Sequence, residues 1–289
     1  VIVGPTASGK TALAVALAER RGGEIISADS VQIYRHFELG TGKPSAEEQR
    51  RAPHHLIDAL EPLEPVDASR WAELAAGKIQ EVRARGAVPI VCGGSFLWVR
   101  ALLYGLAAAP PADAALRDRH REWAEREGRA ALHTELVRVD PESAARLAPN
   151  DLVRVSRALE VHELTGVPLS RWQNEHGFRS ARYAVKLLGV RRERDELDRL
   201  IADRVRAMLD AGWIEEVRAL LAAGYGSARA MSAVGYKQIA DALRAGGSPG
   251  HDDVFDPIRR ATRVFARRQR TWLRAQPVEW LAPGTLPEL

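Results

Sequence analysis

The run Gly4-Pro5-Thr6-Ala7-Ser8-Gly9-Lys10-Thr11 constrains this chain more than any other feature. It matches the pattern G-x-x-x-x-G-K-[ST], in which glycines let the backbone turn successive N–H groups toward one anion. Its flanks agree with it. Residues 1–3 are β-branched and apolar, and residues 10–20 (KTALAVALAER) carry apolar side chains at helical spacing, the strand-loop-helix context that a phosphate loop requires. The helix starting near Lys10 adds the positive end of its dipole, Lys10 adds a point charge, and the Thr11 hydroxyl can ligate Mg²⁺. A chance match in a chain of this length has a probability of roughly 1%. A diphosphate or triphosphate is therefore expected on Gly4–Thr11.

The rest of the chain supplies the sheet that such a loop needs. Residues 24–28 (EIISA) and 88–92 (VPIVC) are short apolar runs that read as buried parallel strands. Between them, residues 69–85 form an amphipathic helix with Ser69 at the expected N-cap. Residues 184–190 and 278–281 read as two more strands. The fold class is α/β: a P-loop NTPase-like parallel sheet flanked by helices, with a helical insertion subdomain. Residues 110–150 show no strand pattern and read as polar helices between Pro-containing turns. The expected division is 1–110 for the first part of the core, 111–150 for the insertion, and 151–289 for the core continued with C-terminal helices. The stretch 192–275 reads as helix broken at Gly212, around Gly224-Tyr225-Gly226, and at Gly246-Gly247.

Composition removes several classes. No apolar run approaches the ~20 residues that span a bilayer, and no basic-then-apolar leader is visible, so neither a membrane nor secretion is expected. The lone cysteine, Cys92, rules out a disulfide framework and a Cys-cluster metal site and fits a reducing cytoplasm. His54, His55 and Asp58 are not expected to bind metal, because adjacent residues in a strand point to opposite faces and no third ligand is suitably spaced. The net charge of +4 and pI of about 9.4 are compatible with a polyanionic partner.

The phosphate loop alone points to a nucleotide kinase or NTPase, but a Walker-B Asp should then end a buried strand beside it. The best strand ends in Gly93-Gly94-Ser95 instead, and Asp58 is a weak substitute. A second feature points elsewhere. After Pro257, Arg260, Arg263, Arg267, Arg270 and Arg274 recur at three and four residues, with Ile258, Ala261, Phe265 and Trp272 on the opposite face. Residues 257–275 contain no acid. One side is expected to pack and the other to meet nucleic-acid phosphates.

Five further segments carry a resemblance: SADSVQIYRHFELGTGKP (27–44), GGSFLWVRALLYG (93–105), NDLVRVSRALEV (150–161), VGYKQ (234–238) and RRQRTWLR (267–274). With GPTASGKT, their order and spacing closely resemble the tRNA dimethylallyltransferases, from Gly4 to about Trp280. The lack of a C-terminal zinc finger suggests the bacterial type. The resemblance implies transfer of a dimethylallyl group from dimethylallyl diphosphate to the exocyclic amine of adenosine 37, beside the anticodon, with Mg²⁺, in the cytoplasm, by a monomer.

The resemblance also implies roles. Asp29 would be the general base on the amine and Ser95 would stand for a Thr at the reacting centre. Trp98 replaces a customary Tyr. Arg204 would clamp the diphosphate with Gly4–Thr11. Contacts to tRNA would come from Asp29, Ser30, Val31, Gln32, Ser95 and Arg117, from Val153, Arg154, Val155, Ser156 and Arg157, and from Ser232, Ala233, Val234, Gly235, Tyr236 and Lys237. Arg260, Arg263 and Arg267 of the stripe join them. On residues alone, plainer readings stay open. Asp29 could cap a helix, Ser95 could cap the next one, and Arg204 could lie on a solvated face. Asn150 or Asp151 could be an N-cap, with Arg157 and Glu160 a surface pair. Rival functions are a P-loop kinase, a prenyltransferase acting on free adenine nucleotides, and a non-catalytic RNA-binding module.

Overall fold

In the computed structural model, which describes residues 1–287, β1 (Ile2–Val3) runs straight into the phosphate loop and α1 (Lys10–Arg21) leaves it. Gly9 precedes α1 in the left-handed region at φ 92°, and no side chain caps the helix. Its first amide groups therefore stay available to a ligand. The apolar face of α1 (Leu13, Val15 and Leu17) packs on Ile2, Ile25, Ile90 and Leu188 of the sheet.

Next come β2 (Gly23–Ser27), α2 (Ala46–Arg51), β3 (His54–His55), α3 (Ala68–Ala84), β4 (Val88–Gly93) and α4 (Phe96–Tyr104). The N-cap of α3 is Asp67, not Ser69: its Oδ1 accepts the Arg70 N–H at 2.9 Å. A carboxylate at this position also favours the helix dipole. Trp71 of α3 is fully buried, donates its indole N–H to Ser27 O at 3.1 Å and stacks on Trp98 of α4 at 5.2 Å. Burial of such a ring contributes on the order of 3 kcal/mol. His55 meets Glu24 Oε2 at 2.6 Å and His54 meets Ala52 O at 2.8 Å.

Residues Tyr104–Arg182 form a compact unit of their own. It contains α5 (Ala114–Glu127), α6 (Arg129–Val139), α7 (Pro141–Arg146), α8 (Leu152–Thr165) and α9 (Leu169–His176). The unit extends well past the 111–150 insertion expected from the sequence. The reason is α8, whose Val155, Ala158 and Leu159 complete an apolar core with Leu132 and Leu136 of α6. Asp140 fixes the next turn by accepting the Ser143 and Ser170 N–H groups, each at 3.0 Å.

The other unit resumes with β5 (Leu187–Val190), α10 (Arg194–Asp210), α11 (Trp213–Ala222), α12 (Tyr236–Arg244), α13 (His251–Leu273) and β6 (Val278–Leu281). Helix α13 begins six residues before Pro257 rather than after it. Asp253 closes its first turn by accepting the Gly250 N–H at 2.8 Å, and the helix tolerates the amide that Pro257 lacks. The six strands run parallel in the order β3-β2-β4-β1-β5-β6. Val3 is level with Gly93 and Ser27 with Cys92, so the carboxyl ends of β1, β2 and β4 lie side by side. Ligands of open α/β sheets bind in the crevice at such an edge. No helix among the described residues is long and apolar enough to cross a membrane.

Candidate active site

The loops that leave β1, β2 and β4 carry Gly4–Thr11, Asp29 and Ser95, and one residue of α13 ties two of them together. The Thr6 N–H donates to Gln269 Oε1 at 2.8 Å, and Gln269 Nε2 donates to Gly94 O at 3.1 Å. Thr6 therefore does not offer its amide to an anion as the phosphate-loop pattern suggested. A Cβ on Gly94 would lie 2.4 Å from Gln269 Nε2. Packing of α13 explains Gly94, and the Ala28 carbonyl, 2.1 Å from a Cβ on Gly93, explains why β4 ends in glycine where a Walker-B Asp would stand. Asp58 is no substitute: it pairs with Lys43, whose ammonium also donates to Glu38 at 2.8 Å and Tyr34 O at 3.0 Å. Ser8 is buried, its hydroxyl has no partner among the described residues, and Arg192 holds its carbonyl at 3.2 Å. Gly4 and Pro5 are buried as well.

Lys10, Thr11 and Arg204, far apart in sequence, line two cavities from one place. The inner cavity, of about 350 Å³, also holds Asp29, Ser95 and Gln269. The outer one, of about 420 Å³, is bounded by Gly9, Lys43 and Glu48. Burial holds Lys10 below the usual lysine range, with Arg204 adding to the effect and Asp29 opposing it. Burial likewise lowers Arg204, against the pull of Asp29 and Glu48. Neither cation has an ion-pair partner within 4 Å among the described residues. Both side chains are half-buried on the cavity wall, and two partly desolvated like charges side by side favour a bound anion. Gly42 makes room for this clamp: at φ 60°, a Cβ there would lie 1.4 Å from an Arg204 guanidinium nitrogen. Nearby Cys92 is buried, and burial pushes its thiol up to about 11.

Asp29 Oδ1 accepts the Val31 and Gln32 N–H groups at 2.9 and 3.3 Å. The carboxylate thus caps a turn, and no helix follows it. Its second oxygen has no hydrogen bond from the described residues. The Ser95 hydroxyl accepts the Ser30 N–H at 3.0 Å and is not spent on capping α4, whose first bonds go to the Ser95 carbonyl. Its own proton remains available. Gln32 links these groups to the clamp by donating to Thr41 O and Gly42 O at 3.3 and 2.9 Å. Val31, Ser232, Ala233 and Val234 line the same cavity.

Other expected contacts fall differently. Tyr236 is fully buried; its hydroxyl donates to Glu216 at 2.5 Å and accepts the Gly40 N–H at 3.1 Å. Burial, then Glu216, raises its phenol far above the usual range. Tyr236 and the buried Gly235 therefore support the loop that carries Gly42 rather than present a surface, whereas Lys237 is exposed and pairs with Asp241. Within the helical unit, Val155 and Ser156 are buried, because the α8 face that carries them forms the core; Val153 and Arg154 are exposed. Asp151 is the N-cap of α8, accepting the Arg154 N–H at 3.2 Å. The Arg157–Glu160 pair exists, but Glu160 is fully buried rather than on the surface. Arg117 binds it through two nitrogens, each at 3.0 Å. On α13, Arg260 and Arg267 are exposed and Arg263 pairs with Asp198 at 2.6 Å. Phe265, expected on the packed face, is 42% exposed and lines the inner cavity.

Sequence reasoning gave no role to Gln269 or Gly42, although each lies inside a quoted segment, RRQRTWLR and LGTGKP. It also passed over Arg192. Only packing identifies their partners.

Comparisons with known proteins identify the family. The profile of the family described as IPP transferase matches residues 32–276. The tRNA dimethylallyltransferase of Sorangium cellulosum is 61% identical over 98% of this chain and 89% of its own length. That of Anaeromyxobacter dehalogenans is 50% identical over 100% and 96%. The crystal structure of a tRNA isopentenylpyrophosphate transferase from Bacillus halodurans matches at TM-score 0.70 and 36% identity, covering 97% of this chain and 88% of that one. A eukaryotic dimethylallyltransferase, solved acting on tRNA, matches at TM-score 0.80 and 25% identity, covering 97% and 72%.

Proposed function

The chain belongs to the IPP transferase family, and from that premise we propose that it transfers the dimethylallyl group of dimethylallyl diphosphate to the exocyclic amine of adenosine 37 in tRNA, releasing pyrophosphate. The observation that carries the reading is the pair of half-buried cations Lys10 and Arg204, without an ion-pair partner among the described residues, on one cavity with Asp29. The diphosphate binds between the start of α1, Lys10 and the planar fork of Arg204. Ile201, Val205 and Met208 line the same cavity one turn apart on α10, beside Arg204, and offer the hydrocarbon an apolar wall.

The target base turns out of the anticodon loop into the inner cavity, as enzymes that act on bases require. Its amine nitrogen forms a bond to the allylic carbon as the carbon–oxygen bond to the diphosphate breaks. The electron pair of that bond leaves on pyrophosphate, toward Lys10 and Arg204, where stabilisation of the growing charge is the largest catalytic contribution. The amine proton passes to the free oxygen of Asp29, whose other oxygen is pinned by two backbone N–H groups. The Ser95 hydroxyl donates a hydrogen bond to the reacting groups and keeps its proton.

Among the described residues no cluster of His, Cys, Asp or Glu could cage a metal ion. Mg²⁺ does not need one: it is commonly held by one or two protein oxygens plus phosphates, and the Thr11 hydroxyl beside Lys10 fits that donor set. Bound there, Mg²⁺ would supply further charge neutralisation for the diphosphate. The reading includes action as a cytoplasmic monomer.

The test is incubation with labelled dimethylallyl diphosphate and Mg²⁺, with unmodified tRNA or AMP as acceptor and ATP in a parallel reaction. Label is expected in tRNA. ATP turnover without tRNA labelling sinks the proposal in favour of a kinase, and labelling of AMP alone moves the substrate to free nucleotides. Asp29→Ala should retain tRNA binding and lose about 10²–10⁴ in turnover; an active variant removes Asp29 as the base.

A further inference from the structure

Helix α13 separates two different sites. Thr262, Phe265 and Gln269 lie on one of its faces and line the inner cavity. Their neighbours Val264 and Ala266 line a groove of about 550 Å³ on the other side, together with Leu197 and Asp198 of α10. That groove is walled by Arg194, Arg260, Arg263, Arg267, Arg270 and Arg274. Arg263 is held by Asp198, while the other five have no carboxylate partner among the described residues.

Phe265 is the anomaly on this ridge. Each of the other four phenylalanines has a ring or guanidinium partner: Phe37 with Tyr236, Phe96 with Trp272, Phe178 with His176, and Phe255 beneath Arg206. Phe265 has neither among the described residues and is 42% exposed at the cavity. An apolar periodicity that should have buried it places it instead where a ligand passes.

We propose that Phe265 is a stacking platform for a base of the substrate RNA next to the target adenine, with α13 the ridge over which the strand is drawn and the arginine groove the seat of its phosphates. The inference rests on the RNA-modifying function proposed above. Single-stranded RNA suits both sides of the ridge, because its unstacked bases seek aromatic faces while its backbone seeks guanidiniums. An acidic protein segment would satisfy the groove and leave the ring without purpose. A free nucleotide would have no use for a groove on the far side of the helix.

The experiment uses the full chain and an anticodon stem-loop RNA carrying 2-aminopurine at the position on either side of the target, in separate RNAs. Binding to the wild-type protein should quench one of the two probes. Phe265→Leu keeps an apolar side chain but no aromatic face; it should abolish the quenching and raise KM for the RNA by about tenfold, with a smaller change in kcat. Phe265→Tyr should restore both. Arg267→Ala should retain the quenching and lower the slope of log affinity against log salt by about one. If Phe265→Leu keeps wild-type KM and quenching, or Phe265→Tyr fails to rescue, the stacking role is wrong while the modification reaction stands. If the wild-type protein labels no RNA, the functional reading itself fails, and that outcome is separate.

Discussion

The inner cavity and the helical unit both gather arginines and carboxylates that the sequence marked for function, and they treat those charges oppositely. In the cavity, Lys10 and Arg204 are half-buried with no ion-pair partner among the described residues, and one oxygen of Asp29 accepts no hydrogen bond from them. In the helical unit, Arg117 and Arg157 both close on buried Glu160, which also accepts the Asp113 N–H at 2.5 Å. His120 is likewise held on both ring nitrogens, by Ser156 at 2.9 Å and Glu163 at 2.8 Å. A charge already satisfied by the protein stabilises structure; a desolvated charge left unsatisfied awaits a ligand. The comparison assigns chemistry to the first region. In the second it makes Glu160 the hub that orients Arg117 and Arg157.

The sharpest way to break this contrast is to truncate one arginine in each region. Arg204→Ala should lower kcat/KM with dimethylallyl diphosphate and tRNA by about 10²–10³, whereas Arg117→Ala should cost less than tenfold. Equal losses, measured by steady-state kinetics, would erase the distinction. Gly42→Ala sharpens it. The added methyl must displace the Arg204 guanidinium, and turnover should fall by about tenfold or more although no ligand-binding side chain is lost. Glu160→Ala probes the satisfied region. Leaving two arginines and an amide without their acceptor should destabilise the protein by about 2–4 kcal/mol, read as a lowered thermal midpoint. At a permissive temperature its turnover should exceed that of Arg204→Ala.

The smallest expected effect lies at the sheet edge. The hydrogen bond from Arg85, helped by His55, holds Glu24 at about 2 against an ordinary 4.5. Because the folded value is depressed, the stability it contributes is present above pH 4.5 and is lost as pH falls toward 2. Glu24→Gln should lower the thermal midpoint modestly near neutrality and flatten its dependence on pH within that window, so that the two proteins converge as the pH falls toward 2.

Local signals foretold the parallel sheet, the phosphate loop and the helical character of residues 110–150, because these depend on nearest neighbours: a glycine-rich turn between strand and helix, apolar runs, and apolar periodicity. They misjudged Ser69, where Asp67 is the cap, because either residue can accept from the first turn. They also ended the insertion too early, since nothing in the sequence of α8 says which core its apolar face will join.

The sequence by itself determined the strand, glycine-rich loop and helix around Gly4–Thr11, and through the order of six segments it pointed to the family. Only the tertiary structure decided which charges are free to act. Among the described residues Lys10 and Arg204 stand without an ion-pair partner on one cavity, while Arg117 and Arg157 are occupied by Glu160. Gln269 draws two loops together, and Phe265 faces the cavity instead of the core. Pairing and desolvation depend on which elements pack together, and a pattern along one chain carries no record of the neighbour across the fold.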